Sequence, residues 1–166
     1  MADLRTGYWS LFVPSQAVGA ATVFMDLYNG SSREITLTSL TAIKDGSVAV
    51  SGVVAAQLFL TRTTAVGTGG TTATEEGTSL TAATLTKLQT YALPEGVTAR
   101  KTPTGGATAG AVVCERQIFT EETNAADYEA IEFLTSALVV PAGTGIRVVQ
   151  GSVASVGSIG FGATFF

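Results

Sequence analysis

The sequence offers few of the residue types that carry out chemistry. Its 166 residues include no histidine and a single cysteine, Cys114. Without histidine, the chain cannot form a Ser-His-Asp or Cys-His nucleophile pair, and it lacks the commonest metal ligand. Cys114 lies beside Val113 in a strand-like pattern, which favours a buried, inert thiol over a nucleophile. A lone cysteine also excludes a disulfide within the chain.

Acidic residues are the remaining candidates for catalysis or metal binding. The clusters are Glu75 with Glu76, Glu121 with Glu122, and the set Asp127, Glu129 and Glu132. A glycosidase needs two carboxylates held several ångströms apart in a cleft, whereas adjacent acids in Gly- and Thr-rich segments are typical of solvated turns. Residues 121–127 carry oxygen ligands of the kind that Ca²⁺ prefers, but their spacing does not match an EF-hand loop. We therefore expect no enzyme activity, no metal and no cofactor.

The glycine-rich run at residues 67–70 and the basic residues exclude two further classes. The run lacks the Lys-Ser/Thr of a phosphate-binding loop and the third glycine of a dinucleotide fingerprint, which indicates a flexible loop. The nine Lys and Arg residues are scattered apart from the pair Arg100 and Lys101, and the net charge is -4. No basic stripe follows a phosphate backbone, so a nucleic acid is not an expected partner.

The composition is apolar and weakly charged for a globular domain. Hydrophobic residues make up 46% of the chain and charged residues 13%, whereas about 25% charged residues are usual. A membrane protein is one explanation, but the longest apolar stretch, residues 48–60, is interrupted by Ser51, Gly52 and Gln57. It is too short for a spanning helix, which needs about 20 apolar residues. The N-terminus also lacks the pattern of a secretory signal. We therefore expect neighbouring subunits to cover the apolar surplus.

Strand-like patterns recur along the chain, and no long helical pattern interrupts them. They cover residues 21–28, 34–43, 48–61, 111–119, 130–134, 137–140, 146–150 and 153–165. Residues 80–90 fit a helix and a strand equally well, while residues 62–79 and 93–110 read as long Thr- and Gly-rich loops. Many short strands separated by turns predict an all-β, single-domain sandwich or barrel, with a jelly roll as the leading architecture.

Two of these strands carry more detailed predictions. In residues 34–43 the alternation of Ile35 and Leu37 with threonines is broken at Leu40, which predicts a β-bulge or a change of buried face. The last strand alternates strictly between apolar residues and small ones. Val153, Ile159, Phe161, Ala163 and Phe165 share one parity, and Ala154, Ser158, Gly160, Gly162 and Thr164 share the other. Such a strand suits the interior of a sandwich or a contact with another subunit.

Residues 1–16 stand apart from the sandwich domain predicted for residues 17–166. The segment places Tyr8, Trp9 and Phe12 close together and Pro14 after them. It fits either a first strand on its own domain or an arm that docks on a neighbouring subunit, because large aromatic residues dominate interface energetics. The candidate subunit-interface residues are Tyr8, Trp9, Phe12, Phe161, Phe165 and Phe166.

Several segments together carry a family resemblance. The strand and turn at residues 24–31 precede the Thr-rich strand at residues 35–43 and a long Thr/Gly loop. Residues 93–98, residues 139–146 and a Gly-rich aromatic tail follow. This order and composition of segments resembles that of the small β-rich structural proteins of tailed phages, above all capsid decoration (cement) proteins and related head or tail accessory proteins.

The resemblance implies a place on the capsid surface of the virion. It implies a β-sandwich that trimerises at capsid three-fold positions and bridges neighbouring capsomers. The partners would be further copies of the chain and the major capsid protein or other virion proteins. The family has no motif-defined functional residues that could be transferred to this sequence.

A binding module is the alternative reading. A lectin-like or receptor-binding sandwich from a tail fibre or baseplate would need an aromatic platform, for which Trp9, Tyr91 and Tyr128 are the candidates. A single tryptophan and scattered tyrosines make a sugar platform the weaker of the two hypotheses.

Overall fold

The computed structural model describes residues 8–44, 54–75, 84–87, 95–105, 109–120, 130–152 and 157–166. Within these ranges the chain forms strands, turns and loops but no helix. The described residues therefore include no helix that could cross a membrane. The strands in chain order are β1 (Trp9–Ala17), β2 (Val23–Asn29), β3 (Ile35–Lys44), β4 (Val54–Thr63), β5 (Thr71–Thr72), β6 (Thr74–Glu75), β7 (Thr84–Lys87), β8 (Val97–Lys101), β9 (Ala109–Thr120), β10 (Ala130–Glu132), β11 (Leu138–Val140), β12 (Thr144–Gln150) and β13 (Ser158–Phe165).

The strands form two sheets that pack face to face, which confirms the predicted all-β sandwich. Sheet A has the order β10-β3-β13-β1-β7-β6, and β11 also pairs with β3. Sheet B has the order β5-β8-β2-β12-β4-β9. Neighbouring strands are antiparallel apart from the short β6–β7 pair. The assignment to a jelly roll in particular stays a prediction.

The core lies between the sheets and takes its residues from alternate positions of each strand. In β13 the apolar parity of the sequence faces inward, and Phe161 packs against Phe24 of sheet B with ring centroids 5.3 Å apart. The bulge predicted in the third strand is present. Thr164 pairs with Ser39 whereas Phe165 pairs with Leu37, so one extra residue lets Leu37 and Leu40 both face the core.

The segments at residues 62–79 and 93–110 were predicted as loops, and both predictions are wrong in part. The first segment contains the end of β4 and the short strands β5 and β6; the second is the larger correction. It contains β8, which pairs with β2 along its whole length. Val97 and Ala99 enter the core while Thr98 and Arg100 point away. Flanking Pro and Gly residues and the small Ala99 hide this alternation in the sequence. Residues 84–87, where helix and strand fitted equally, form β7.

The N-terminal segment is part of the sandwich over the residues that the structure describes. β1 lies inside sheet A between β13 and β7, so residues 9–16 form a first strand rather than an arm. The predicted boundary between residues 16 and 17 falls within this strand. Residues 1–7 lie outside the described ranges.

Candidate assembly surfaces

Three of the six predicted interface aromatics are core residues instead. Trp9, Phe161 and Phe165 are buried between the sheets. Each occupies the inward parity of its strand, and Trp9 pairs with Phe165 across the β1–β13 ladder. A side chain without exposed surface in its own domain has none to offer a partner, so these three positions are corrected to core positions.

The other three aromatics reach the surface at one end of sheet A. Phe12 is 43% exposed and Tyr8 40% exposed. The ring of Tyr8 lies 5.1 Å from the ring of Phe166, centroid to centroid. The backbone of Phe166 exchanges two hydrogen bonds with Thr36, of 2.8 and 3.0 Å. The chain end is therefore fixed to β3, and it holds the ring of Tyr8 at the rim of the sheet.

The outward side of sheet A, which we call face A, combines exposed apolar side chains with an open gap at the single residue Gly162, which we call the glycine channel. One row across the sheet runs from Phe12 through Gly162 and Thr41 to Glu132. A Cβ added at Gly162 would meet nothing within 4 Å, so the centre of the row is an open depression. Ile43, the next residue of β3 after Thr41 that points to the same side, is 41% exposed.

Four hydroxyl groups on sheet A, those of Thr38, Ser39, Thr41 and Thr164, have hydrogen-bond partners within the sheet. The hydroxyl of Thr164 lies 2.7 Å from those of Thr38 and Ser39. Thr41 donates to Oε2 of Glu132 at 2.7 Å, and the Leu40 amide donates to Oε1 of Glu132 at 2.8 Å. These four hydroxyls therefore already have partners, and Glu132 places one carboxylate at the edge of face A.

The free edge of sheet B carries a second apolar surface, at the start of β9. Val112 is 57% exposed, and Val113 is exposed beside it. Leu60 pairs with Cys114 whereas Thr61 pairs with Val112, so Val113 is the extra residue of a bulge. Bulges twist an edge strand away from further strand pairing. The bulge therefore disfavours the pairing of a further strand with this edge, although Val112 and Val113 remain accessible.

Cys114 and Arg116 fasten the start of the β10–β11 connection to β9. Arg116 donates to the carbonyls of Glu132 and Phe133 at 3.0 and 2.8 Å, and the Cys114 thiol donates to that of Phe133 at 3.4 Å. A pocket of about 150 Å³ lies beside them. Burial raises the pKa of the Cys114 thiol, and the nearby Arg116 only partly offsets this effect. A protonated, hydrogen-bonded thiol fits the predicted inert role.

A charged row crosses the outward side of sheet B. Asp26 on β2 lies directly opposite Arg100 on β8 and Arg147 on β12. The carboxylate is buried, and neither of its oxygens makes a hydrogen bond of good geometry. Residues 64–70, which we call the strap, pass over it, and a Cβ at Gly67 would overlap with Oδ2 of Asp26. This row was not predicted from the sequence, although an aspartate amid the apolar residues of β2 is a usable signal.

The predicted acidic clusters and the aromatic residues proposed for a sugar platform contribute little to the surfaces that the structure describes. Within the described ranges, no group of three or more His, Cys, Asp or Glu residues could hold a metal. Apart from Glu132, the acidic residues of the predicted clusters have side chains that the structure does not describe, and the same holds for Tyr91 and Tyr128. Trp9 is buried and cannot stack on a sugar, which removes the tryptophan from the lectin-like hypothesis.

Comparisons of the chain with protein-family models, with curated proteins and with solved structures find no match. The candidate surfaces therefore have to be interpreted from their own geometry.

Proposed function

We propose that this chain is a structural subunit of a tailed-phage virion, most specifically a capsid decoration (cement) protein that binds between capsomers and stabilises the head. The observation that carries the proposal is face A. An aromatic ring, a second aromatic at the rim and an isoleucine are exposed around a glycine channel, at Phe12, Tyr8 and Ile43. The resemblance of the sequence to phage decoration proteins supports the same function.

Face A has the properties that a contact between subunits needs. Full burial of one large apolar side chain contributes about 1.5–3 kcal/mol, so covering Phe12 and Ile43 gives useful but modest affinity for each contact. The hydroxyls of Thr38, Thr41 and Thr164 already have partners, so covering them leaves few polar groups without a hydrogen bond. The low content of charged residues, 13% of the chain, limits the desolvation cost at a crowded joint.

Modest affinity at each contact is sufficient for a cement protein. A trimer that holds several joints of a shell at once binds with the avidity of linked sites, even when each contact is weak. The proposed partners are therefore two further copies of this chain and the major capsid protein. In this proposal the chain acts by adding contact area and performs no catalysis.

Binding to shells tests the proposal. Purified protein is mixed with expanded capsid shells that lack it, and the shells are pelleted through a cushion. We expect the protein to co-sediment and saturate at a fixed number of copies per shell, and we expect Phe12→Ser to bind at least tenfold more weakly. Val66→Ser is the matched control, because Val66 is also exposed but lies on the strap. Failure of the protein to pellet with shells, or equal binding by Phe12→Ser, would refute the proposal.

A further inference from the structure

The strap over sheet B covers a buried carboxylate at an energetic cost. Asp26 has no exposed surface. Gly67 of the strap lies against its Oδ2, and Pro103 of the neighbouring turn lies close to Gly67. Taking a carboxylate out of water is costly unless hydrogen bonds replace its hydration. Neither Asp26 oxygen has a hydrogen bond of good geometry, so the closed strap leaves this cost only partly compensated.

The strap is held by hydrogen bonds that, apart from one to a guanidinium group, join neutral groups, and they include a bond from the Thr63 hydroxyl to the carbonyl of Ala65 at 2.9 Å. Thr68 donates its amide to the carbonyl of Gly105 at 2.7 Å and accepts from the amides of Thr104 and Gly105 at 2.9 and 3.3 Å. Arg100 donates to the carbonyl of Gly69 at 3.2 Å. Residues 64–70 contain no ionisable side chain. The backbone bonds between Thr68 and residues 104–105 lie outside the ladders of the named strands.

We infer that the strap is a proton-linked latch, which closes over the neutral carboxyl of Asp26 and is loosened when that carboxyl ionises. Opening the latch lets water reach Asp26 and uncovers the row that it forms with Arg100 and Arg147. This device goes beyond the proposed role of face A and lies on the other sheet.

The charges around Asp26 set the direction of the effect. Burial raises the pKa of Asp26 above its ordinary value of 3.8, and the amides of Gly67 and Arg100 and the guanidinium groups of Arg100 and Arg147 only partly counteract it. The strap and residues 102–105 add no charge. The other titratable group on the outward side of β2 is Tyr28, whose hydroxyl donates to the carbonyl of Gly143 at 3.2 Å.

The sign of the pH dependence follows from linkage. The closed state binds the Asp26 proton more tightly than the open state, in which water hydrates the carboxylate and the guanidinium groups of Arg100 and Arg147 still favour its ionised form. Closure is therefore strongest below the pKa of the open state and weakens as the pH rises through the elevated pKa of the closed state. Between those two values, the opening equilibrium grows by up to about tenfold per pH unit, and it is constant on either side.

Amide hydrogen exchange by NMR over pH 3–7, corrected for intrinsic rates, tests this inference. In the wild type we expect the opening equilibrium at the Thr68 amide to rise with pH and then level off. The Thr36 amide, which donates to Phe166 in sheet A, serves as the internal reference and is expected to stay constant. A Thr68 opening equilibrium that does not change with pH would overturn the inference.

Three variants separate the latch from a general effect of pH on the fold. Asp26→Asn removes the titration, so opening at Thr68 becomes independent of pH. Glu95→Gln alters an exposed carboxylate in another turn and keeps the wild-type profile. Gly67→Ala places a methyl group against the carboxylate and opens the strap at every pH. The idea fails if Asp26→Asn retains the wild-type profile. If Asp26→Asn does not fold, a carboxyl ¹³C titration of wild-type Asp26 that gives a pKa at or below 3.8 has the same consequence.

Discussion

The two phenylalanines at positions 12 and 161 show how parity on a strand decides the role of a residue. Phe12 pairs with Gly162 and points outward, whereas Phe161, one position before Gly162, points into the core. Both were candidates for an interface on the basis of residue type. The sequence predicted that β13 has an apolar and a small face, but it did not say which face meets the opposite sheet.

The same pair gives a stability prediction at the residue scale. Phe161→Ala removes a buried ring that contacts Phe24, and we expect a loss of about 3–5 kcal/mol in the free energy of unfolding. Phe12→Ala removes an exposed ring, so its effect should stay within about 0.5 kcal/mol. Urea denaturation monitored by circular dichroism measures both. Equal destabilisation by the two substitutions would contradict the assigned orientations.

Asp26, Arg100 and Arg147 mark the limit of prediction from single residues. They lie far apart in the chain, and only the pairing of β8, β2 and β12 brings them into one row. No local pattern encodes that strand order. By contrast, the place of Cys114 in a strand could be predicted, because the residues around it already indicated a strand.

At the scale of elements, local alternation predicted most strands and failed where small residues weaken it. β3 with its bulge, β12 and β13 follow clear apolar patterns. β8 was missed because Val97 and Ala99 are its only core residues and a turn with Gly96 at positive φ precedes it. The strand is fixed by tertiary pairing with β2 rather than by its own propensity.

Two glycines in neighbouring elements give a second stability prediction. A Cβ at Gly145 in β12 would lie 2.6 Å from the backbone oxygen of Leu27, so Gly145→Ala should destabilise the fold by about 1–3 kcal/mol through overpacking. Gly162→Ala adds a Cβ where nothing lies within 4 Å, and its effect should stay within about 0.5 kcal/mol. Thermal unfolding of the two variants measures the difference.

Gly162 also offers a larger substitution that links the element to the function. Gly162→Leu should fold, since the added side chain extends from the open channel of face A, yet it should weaken binding to shells by occupying that channel. A loss of stability in Gly162→Ala comparable to that of Gly145→Ala would show that the channel is not open, and the geometry of face A would then be wrong.

At the scale of the whole molecule, composition predicted an apolar, weakly charged β-sandwich, and the structure shows where the exposed part of that apolar surface lies. Three of the aromatic residues that were predicted to contact other subunits lie in the core instead. Exposed apolar groups remain on face A and at the start of β9, on different sheets. A subunit with two such surfaces can contact more than one neighbour, as a protein that bridges capsomers must.

The most direct test of this account is a cryo-EM reconstruction of shells to which the purified protein has been added. We expect density for the sandwich on the outer surface of the shell, three copies around each three-fold position, with Phe12 and Ile43 buried against a neighbouring subunit. Density confined to the tail or neck, or a chain on the shell with face A turned to solvent, would contradict the claim that this face joins the protein to its assembly.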